Sequence, residues 1–146
     1  MKEKLGLFTE NFLKCGLAGW CMEILFTSMD ALRRRDLTLK GSTSLWMFPI
    51  YGSAAVLSPV CRLLGRKSFW TRGLTYMALI FSGEYLSGIL LSKRRLCPWD
   101  YGRSRWNISR IIRLDYAPCW FCAGLLFERL ILPTRKKTRI PHSSGE

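Results

Sequence analysis

Long apolar stretches broken by short clusters of charge set the pattern of this chain. Residues 15–29 carry only Glu23, residues 41–61 carry no charge, residues 73–92 carry only Glu84, and residues 116–127 carry none. Runs of roughly 17 to 25 apolar residues match the length a helix needs to cross a bilayer. They predict an all-α, polytopic membrane bundle with four spans, near residues 8–29, 44–64, 69–91 and 111–132. The membrane domain then covers 1–134, and the basic tail 135–146 reads as disordered.

Each span has a local defect. Glu10 and Lys14 sit four residues apart in the first, on one helical face, where they can pair and reach the headgroups. Pro49 and Pro59 predict a kink in the second, or a helix beginning only after Pro49 with residues 46–51 at the interface. The fourth opens over Arg113, Asp115 and Pro118, so its buried part is expected to begin near Tyr116. An amphipathic interfacial helix is expected ahead of it. The charged start runs into a long apolar stretch without a small-residue cleavage site, so the first span is expected to stay.

Composition sharpens this picture. The chain has 146 residues, 49% of them hydrophobic, and 23 Lys and Arg against 10 Asp and Glu give a net charge of +13. A disordered basic chain is less apolar than this, and a soluble nucleic-acid binder scatters its charges along amphipathic elements. The segregation points to a lipid bilayer with anionic headgroups as the partner, at about 1 kcal/mol per basic residue near the surface, and not to nucleic acid. Lys and Arg divide almost evenly between the two sets of loops, which leaves the membrane orientation open. Trp46, Trp70, Trp99, Trp106 and Trp120 fall at span ends or in adjacent loops, as an interfacial belt would.

Three carboxylates break the apolar pattern. Glu23 shares a helical face with Gly16 and Gly19, Glu84 lies one turn from Gly88, and Glu128 lies one turn after Gly124. Small residues allow close helix approach, so these side chains are expected to face the bundle interior. Glu128 adjoins Arg129 and is expected to pair with it or reach the interface. Glu23 and Glu84 are deeper and have two readings. They are either neutral or arginine-paired carboxyls that lock helix contacts, with Arg72 or Arg113 as partners, or the centre of an ion, proton or substrate site. Each is followed by an aromatic segment with proline, Trp46-Met-Phe-Pro-Ile-Tyr-Gly52 after Glu23 and Cys97-Pro-Trp-Asp-Tyr-Gly102 after Glu84. This pairing hints at a duplicated two-helix unit.

Five ordered blocks carry a family resemblance: Gly19-Trp-Cys-Met-Glu23, Ser44-Leu-Trp-Met-Phe-Pro-Ile-Tyr-Gly52, Glu84-Tyr-Leu-Ser-Gly88, Cys97-Pro-Trp-Asp-Tyr101 and Leu114-Asp-Tyr-Ala-Pro-Cys-Trp120. Together, across residues 12–132, they resemble the CmpB-like type IV ABC-transporter permease family, which is also similar to the transmembrane protein 229 family. The resemblance implies an integral membrane protein with Glu23, Glu84, Trp99, Asp100 and Tyr101 as family positions. The Cys-Pro-Trp-Asp-Tyr loop is either a structural corner or a cap over a polar cavity that holds both glutamates. Asp100 is expected to accept a hydrogen bond or to pair with Arg103 or Arg105.

Other chemistry is weaker. Gly65-Arg-Lys-Ser68 lacks the spacing of a phosphate-binding loop, so any ATPase must be a separate chain. A single histidine, His142 in the tail, argues against histidine catalysis and most zinc sites; no catalytic residue, metal or cofactor is implied. Cys119-Trp-Phe-Cys122 has redox spacing, but only Cys97 lies outside the spans to serve as a shuttle, so the six cysteines read as small apolar residues. Asn107-Ile-Ser109 fits a glycosylation pattern, which matters only in a secretory-pathway protein. The expected function is that of a permease or transport component of a bacterial cell membrane, as a homo-oligomer or with a separate ATPase subunit. The alternatives are a membrane enzyme acting on a lipid or lipid-linked substrate, and a non-transporting adaptor. A water-accessible cavity reaching Glu23 and Glu84 suits the first two, and dry packing of both suits the adaptor.

Overall fold

The first apolar stretch and the charged residues before it form one continuous helix, α1 (Lys2–Arg33), in the computed structural model, which describes residues 2–132. No proline interrupts it. Thr9, Thr27 and Ser28 donate to carbonyls one turn back, and Lys14 pairs with Glu10 on the outer face, which hides polarity within the helix itself.

The second stretch is broken where its prolines dictate. Helix α2 (Met47–Gly52) passes into a 3-10 turn (Ser53–Leu57) and then into α3 (Ser58–Leu64). Pro59 occupies the first turn of α3, where a missing amide costs nothing, but its ring excludes an α-helical turn behind it. Of the two arrangements open to this span, the kinked one forms, and the helix starts before Pro49. Helix α4 (Phe69–Lys93) is capped by Ser68, whose hydroxyl accepts from the Thr71 amide at 3.3 Å, and the chain leaves it through Arg95 at a φ of 56°.

The amphipathic helix expected ahead of the last span is absent. Residues 94–116 hold a short antiparallel hairpin, β1 (Asn107–Ile108) and β2 (Ile112–Arg113), in which Asn107 pairs with Arg113 and Ile108 with Ile112. Ser109 and Arg110 take φ values of 52° and 62° at its tip, which a helix cannot contain. The Asn107 side chain fixes the turn: its amide donates to the Ser104 carbonyl at 2.5 Å and its oxygen accepts from the Arg110 amide at 3.1 Å. That is a structural reason for this asparagine within its glycosylation-like triplet. The last helix, α5 (Ala117–Ile131), therefore begins six residues later than the span expected from hydropathy.

Glycines set the packing. Gly16 lies against the Phe48 ring and Gly19 against Tyr51, joining α1 to α2, while Gly52 receives Phe12 in return. Gly73 of α4 lies against Phe121, and Gly124 of α5 against Tyr76, joining the second pair. The core runs through Cys15, Tyr51, Cys61, Tyr76, Trp120 and Phe127. Glu128, buried in it, pairs with Arg72 of α4 at 3.5 Å, and not with the adjacent Arg129.

The all-α expectation holds, and two stretches, Met47–Leu64 and Phe69–Lys93, are long and apolar enough to cross a membrane. Only 22% and 17% of the 18-residue apolar window in each is buried within the chain. Leu17, Leu25, Leu63, Leu74 and Leu86 are among the large apolar side chains that point outward from α1, α3 and α4. The tail 135–146 lies outside the described residues.

A methyl group added at Gly124 meets the Cβ of Tyr76, whereas at Gly6 it meets nothing. Gly124→Ala should lower stability by about 1 to 3 kcal/mol through overpacking. Gly6→Ala should leave it unchanged or raise it by up to about 1 kcal/mol through helix propensity. Thermal unfolding of both variants in the same detergent checks this, and equal midpoints would contradict the packing.

Candidate functional site

Glu23 and Gly19 lie one turn apart on α1 and face the same ring. Gly19 has no side chain to keep Tyr51 away, so the ring lies on the helix and its hydroxyl donates to Glu23 Oε2 at 3.0 Å. The second glutamate repeats this logic on α4. Gly88, one turn after Glu84, makes room for Ile111 and the Trp99 ring, while the Tyr101 hydroxyl and the Trp120 indole face Glu84 itself. In each half, the tyrosine of the aromatic segment that follows the helix comes to that helix's glutamate. The halves correspond in role but not in backbone, because Tyr51 stands on a helix and Tyr101 in a loop. Neither Arg72 nor Arg113 reaches the two deep glutamates: Arg72 is committed to Glu128 and Arg113 to Asp115.

The segment carrying Trp99, Asp100 and Tyr101 is tied down at several points. The Trp99 indole donates to the Ile111 carbonyl at 3.1 Å, and the Tyr101 amide donates to the Arg110 carbonyl at 2.8 Å. Asp100 pairs with Arg110, at 3.0 Å to Nε and 2.5 Å to Nη2, and accepts from the Gly102 amide at 2.8 Å. Arg103 and Arg105, the partners expected from sequence, are displaced by Arg110 because the hairpin folds its tip back over the loop. The Arg110 side chain and the Gly102 amide together hold the Asp100 carboxyl below its usual range, and Asp100 holds the Arg110 guanidinium above its own. Burial, with Glu84 and Glu23 beyond it, pushes the Tyr101 phenol up, so it stays a neutral donor.

All five sequence-predicted site residues line one cavity of about 1150 Å³. It lies between two helix pairs, α1 packed on α2 and α4 packed on α5. We call floor the buried and half-buried lining formed by Glu23 and Glu84 with Tyr51, Trp99, Tyr101 and Trp120, and mouth the charged lining that includes the exposed Arg34, Asp100 and Arg103 with Asp30 and Arg113; much of the remaining lining is apolar. The ends of α1 and α4 and the starts of α2 and α5 all meet here. Residues that sequence reasoning did not single out include Tyr51, which bonds Glu23, Tyr116, stacked on Phe26 at 6.1 Å between ring centres, and Trp120, which was read only as an interfacial residue. The signal available was the spacing of Gly19 and Glu23 matched to an aromatic beside Pro49.

Cys119 is half-buried and Cys122 exposed on α5, while Cys97 in the loop is half-buried with its thiol donating to the Trp99 carbonyl at 3.3 Å. Among the described residues no cluster of histidine, cysteine and carboxylate is arranged to hold a metal ion.

The family model described as "Putative ABC-transporter type IV" matches residues 11–145. No solved structure matches the chain.

Loss of the Asp100 charge should free the loop. Asp100→Asn is expected to speed amide exchange of residues 101–113 at neutral pH. In the unaltered protein the depressed carboxyl keeps the pairing intact above about pH 4; the loop should loosen below that, as pH falls through the native value, with Arg110 charged throughout. Hydrogen exchange corrected for intrinsic rates reads both, and a variant as protected as the parent would rule out the strap.

Proposed function

The chain belongs to this type IV ABC-transporter family, and from that premise we propose that it is the membrane-embedded component of a transporter whose substrate site is the cavity around Glu23 and Glu84. Family membership supports a transport role in general. One observation carries the finer reading: two glutamates from separate apolar helices line the same cavity, and neither has an arginine or lysine partner among the described residues. Carboxylates that served only to lock helices would be closed off in dry contacts. These two open onto a space large enough for a small organic molecule.

The four-span reading goes with this proposal. By rise per residue, α1 and α4 extend about 48 and 38 Å, more than the roughly 30 Å of a hydrocarbon core. The kinked α2 to α3 stretch is shorter and α5 is shorter still. They cross with help from flanking aromatics such as Trp46, Trp70 and Tyr116 and from local thinning of the bilayer. Within this frame Trp99, Asp100 and Tyr101 form the cap of the cavity: Tyr101 contributes a hydroxyl to the polar floor, Trp99 a wall, and Asp100 the ionic tie that keeps both in place. ATP hydrolysis is assigned to a separate chain, in keeping with the absence of a phosphate-binding loop in this sequence. Basic loops around Arg33 to Arg35 and Lys93 to Arg95 suit an anionic headgroup layer, and a bacterial cell membrane is the proposed setting. A second copy of the chain in the assembly would add the spans that a four-helix unit lacks.

Ser87 lines the cavity one turn from Glu84, whereas Leu86 next to it points outward. With the native cysteines replaced, Ser87→Cys should react with a membrane-impermeant thiol reagent and Leu86→Cys should not. Affinity purification in mild detergent should bring an ATPase chain along. Protection of Ser87→Cys, together with recovery of the chain free of any ATPase, would turn the reading towards an adaptor.

A further inference from the structure

The acids at the mouth have arginines beside them and those at the floor have none. At the mouth Arg34 pairs with Asp30 at 2.6 Å and Arg113 with Asp115 at 2.8 Å, while Asp100 is taken by Arg110 at 2.5 Å. At the floor Glu23 has the Tyr51 hydroxyl and no cation. Glu84 Oε2 and the Trp120 indole nitrogen are both buried without a hydrogen-bond partner, and Trp120, lining the cavity, is only 6% exposed. Two carboxylates that meet only neutral donors, Tyr51 at Glu23 and Tyr101 with Trp120 beside Glu84, and no cation, leave the positive charge to be brought in from outside.

The wall beside them is aromatic and continuous. Tyr51 lies 6.4 Å from Trp120 between ring centres, Trp120 6.4 Å from Tyr116, and Tyr116 5.9 Å from Tyr101, with the rings tilted or edge-on so that their faces point in several directions. Aromatic faces around a carboxylate pair are the surroundings an organic ammonium group prefers, since they attract the charge without demanding that it be fully desolvated against hydrocarbon. The side of the cavity differs again. Its apolar lining includes Val56 and Leu57 of the 3-10 turn and Leu79 and Ile80 of α4, drawn from the two helix pairs.

We propose that the cavity binds an amphiphile with an ammonium headgroup, the head between Glu23, Glu84 and the aromatic wall, and the chain passing out between Val56 and Leu79 towards the lipid. This rests on the transport reading and names the substrate class of that same site. Lateral passage also explains how a cation reaches the floor past a mouth rich in arginine: it does not enter by the mouth.

The full-length protein in nanodiscs of uncharged lipid, titrated by tryptophan fluorescence, tests this, because Trp99 and Trp120 line the cavity. Dodecyltrimethylammonium should give a saturable change. Tetramethylammonium, the same head without a chain, should bind at least about tenfold more weakly, and laurate, a similar chain with an anionic head, should neither bind nor compete. Glu23→Gln combined with Glu84→Gln should weaken the dodecyltrimethylammonium response at least about tenfold. Glu10→Gln, on the outer face, should leave it unaltered. The ordering of the three probes on the unaltered protein needs no variant, so it stands as a test even where the double substitution fails to fold. Laurate binding as tightly as the ammonium probe, or an ammonium affinity untouched in a folded double variant, overturns the assignment. If Ser87→Cys is labelled from water and an ATPase co-purifies while that ordering fails, the transport reading survives and only the ammonium assignment falls.

Discussion

A carboxylate within an apolar helix has no water to solvate it, so the neighbouring element must bring a donor to it or it must open onto a polar space. Glu23 does both, and much of the architecture follows from how. The Tyr51 hydroxyl reaches it only because Gly19, one turn earlier, lets the ring rest on the backbone of α1. Tyr51 reaches that position only because α2 starts before Pro49 and brings Phe48 and Gly52 onto Gly16 and Phe12 in the same approach. The kink at Pro59 then sends α3 away from the line of α2, and the 3-10 turn between them borders the cavity. A single tyrosine-to-glutamate contact thus sits at the junction of α1, α2 and the space between the helix pairs.

The parts of this arrangement that could be read from sequence were those with a periodic signal. Glycines one turn from each glutamate do mark the helix contacts, the prolines do break the second stretch, and the glutamates do line one cavity. What escaped was long-range pairing, for which a single chain gives no periodicity. Arg72 lies 56 residues from Glu128 and meets it only because α4 and α5 run side by side over Gly73 and Gly124. Arg110 displaced Arg103 and Arg105 as the partner of Asp100 because two residues with positive φ fold the hairpin back over the loop. Ser109 and Arg110 carry no glycine or proline to announce that turn, so the sequence suggested an amphipathic helix where the hairpin lies, and the span drawn from residue 111 took in its second strand.

The two halves of the chain reach similar ends by different backbones. In the first, Pro49, Tyr51 and Gly52 sit on a helix. In the second, Pro98, Trp99, Asp100, Tyr101 and Gly102 sit in a loop that needs its own ties, the Trp99 indole to Ile111 and Asp100 to Arg110, to hold Tyr101 where α2 holds Tyr51. A helix carries its hydrogen bonds internally and can present a side chain with little further support; a loop at the same depth must satisfy each amide separately. This accounts for the density of polar contacts in residues 97–113 compared with residues 46–52. It also gives the second half the more adjustable cap, since its ties are side chains at the mouth and not a helical backbone.

The positive charge of the chain is distributed by the same rule. Several of the arginines near the mouth have an aspartate close by, Arg34 with Asp30, Arg110 with Asp100 and Arg113 with Asp115, and exposed pairs of this kind contribute little to stability beyond fixing geometry. They matter by subtraction. With the aspartates occupied at the mouth and Glu128 occupied by Arg72 in the core, Glu23 and Glu84 are left as the acidic groups in the described interior without a cation. A basic chain that spends its arginines on neighbouring acids and withholds them from two glutamates has not balanced its interior for its own sake. On the reading proposed above, the balance is left for a substrate that arrives and departs, which a purely structural ion pair would not allow.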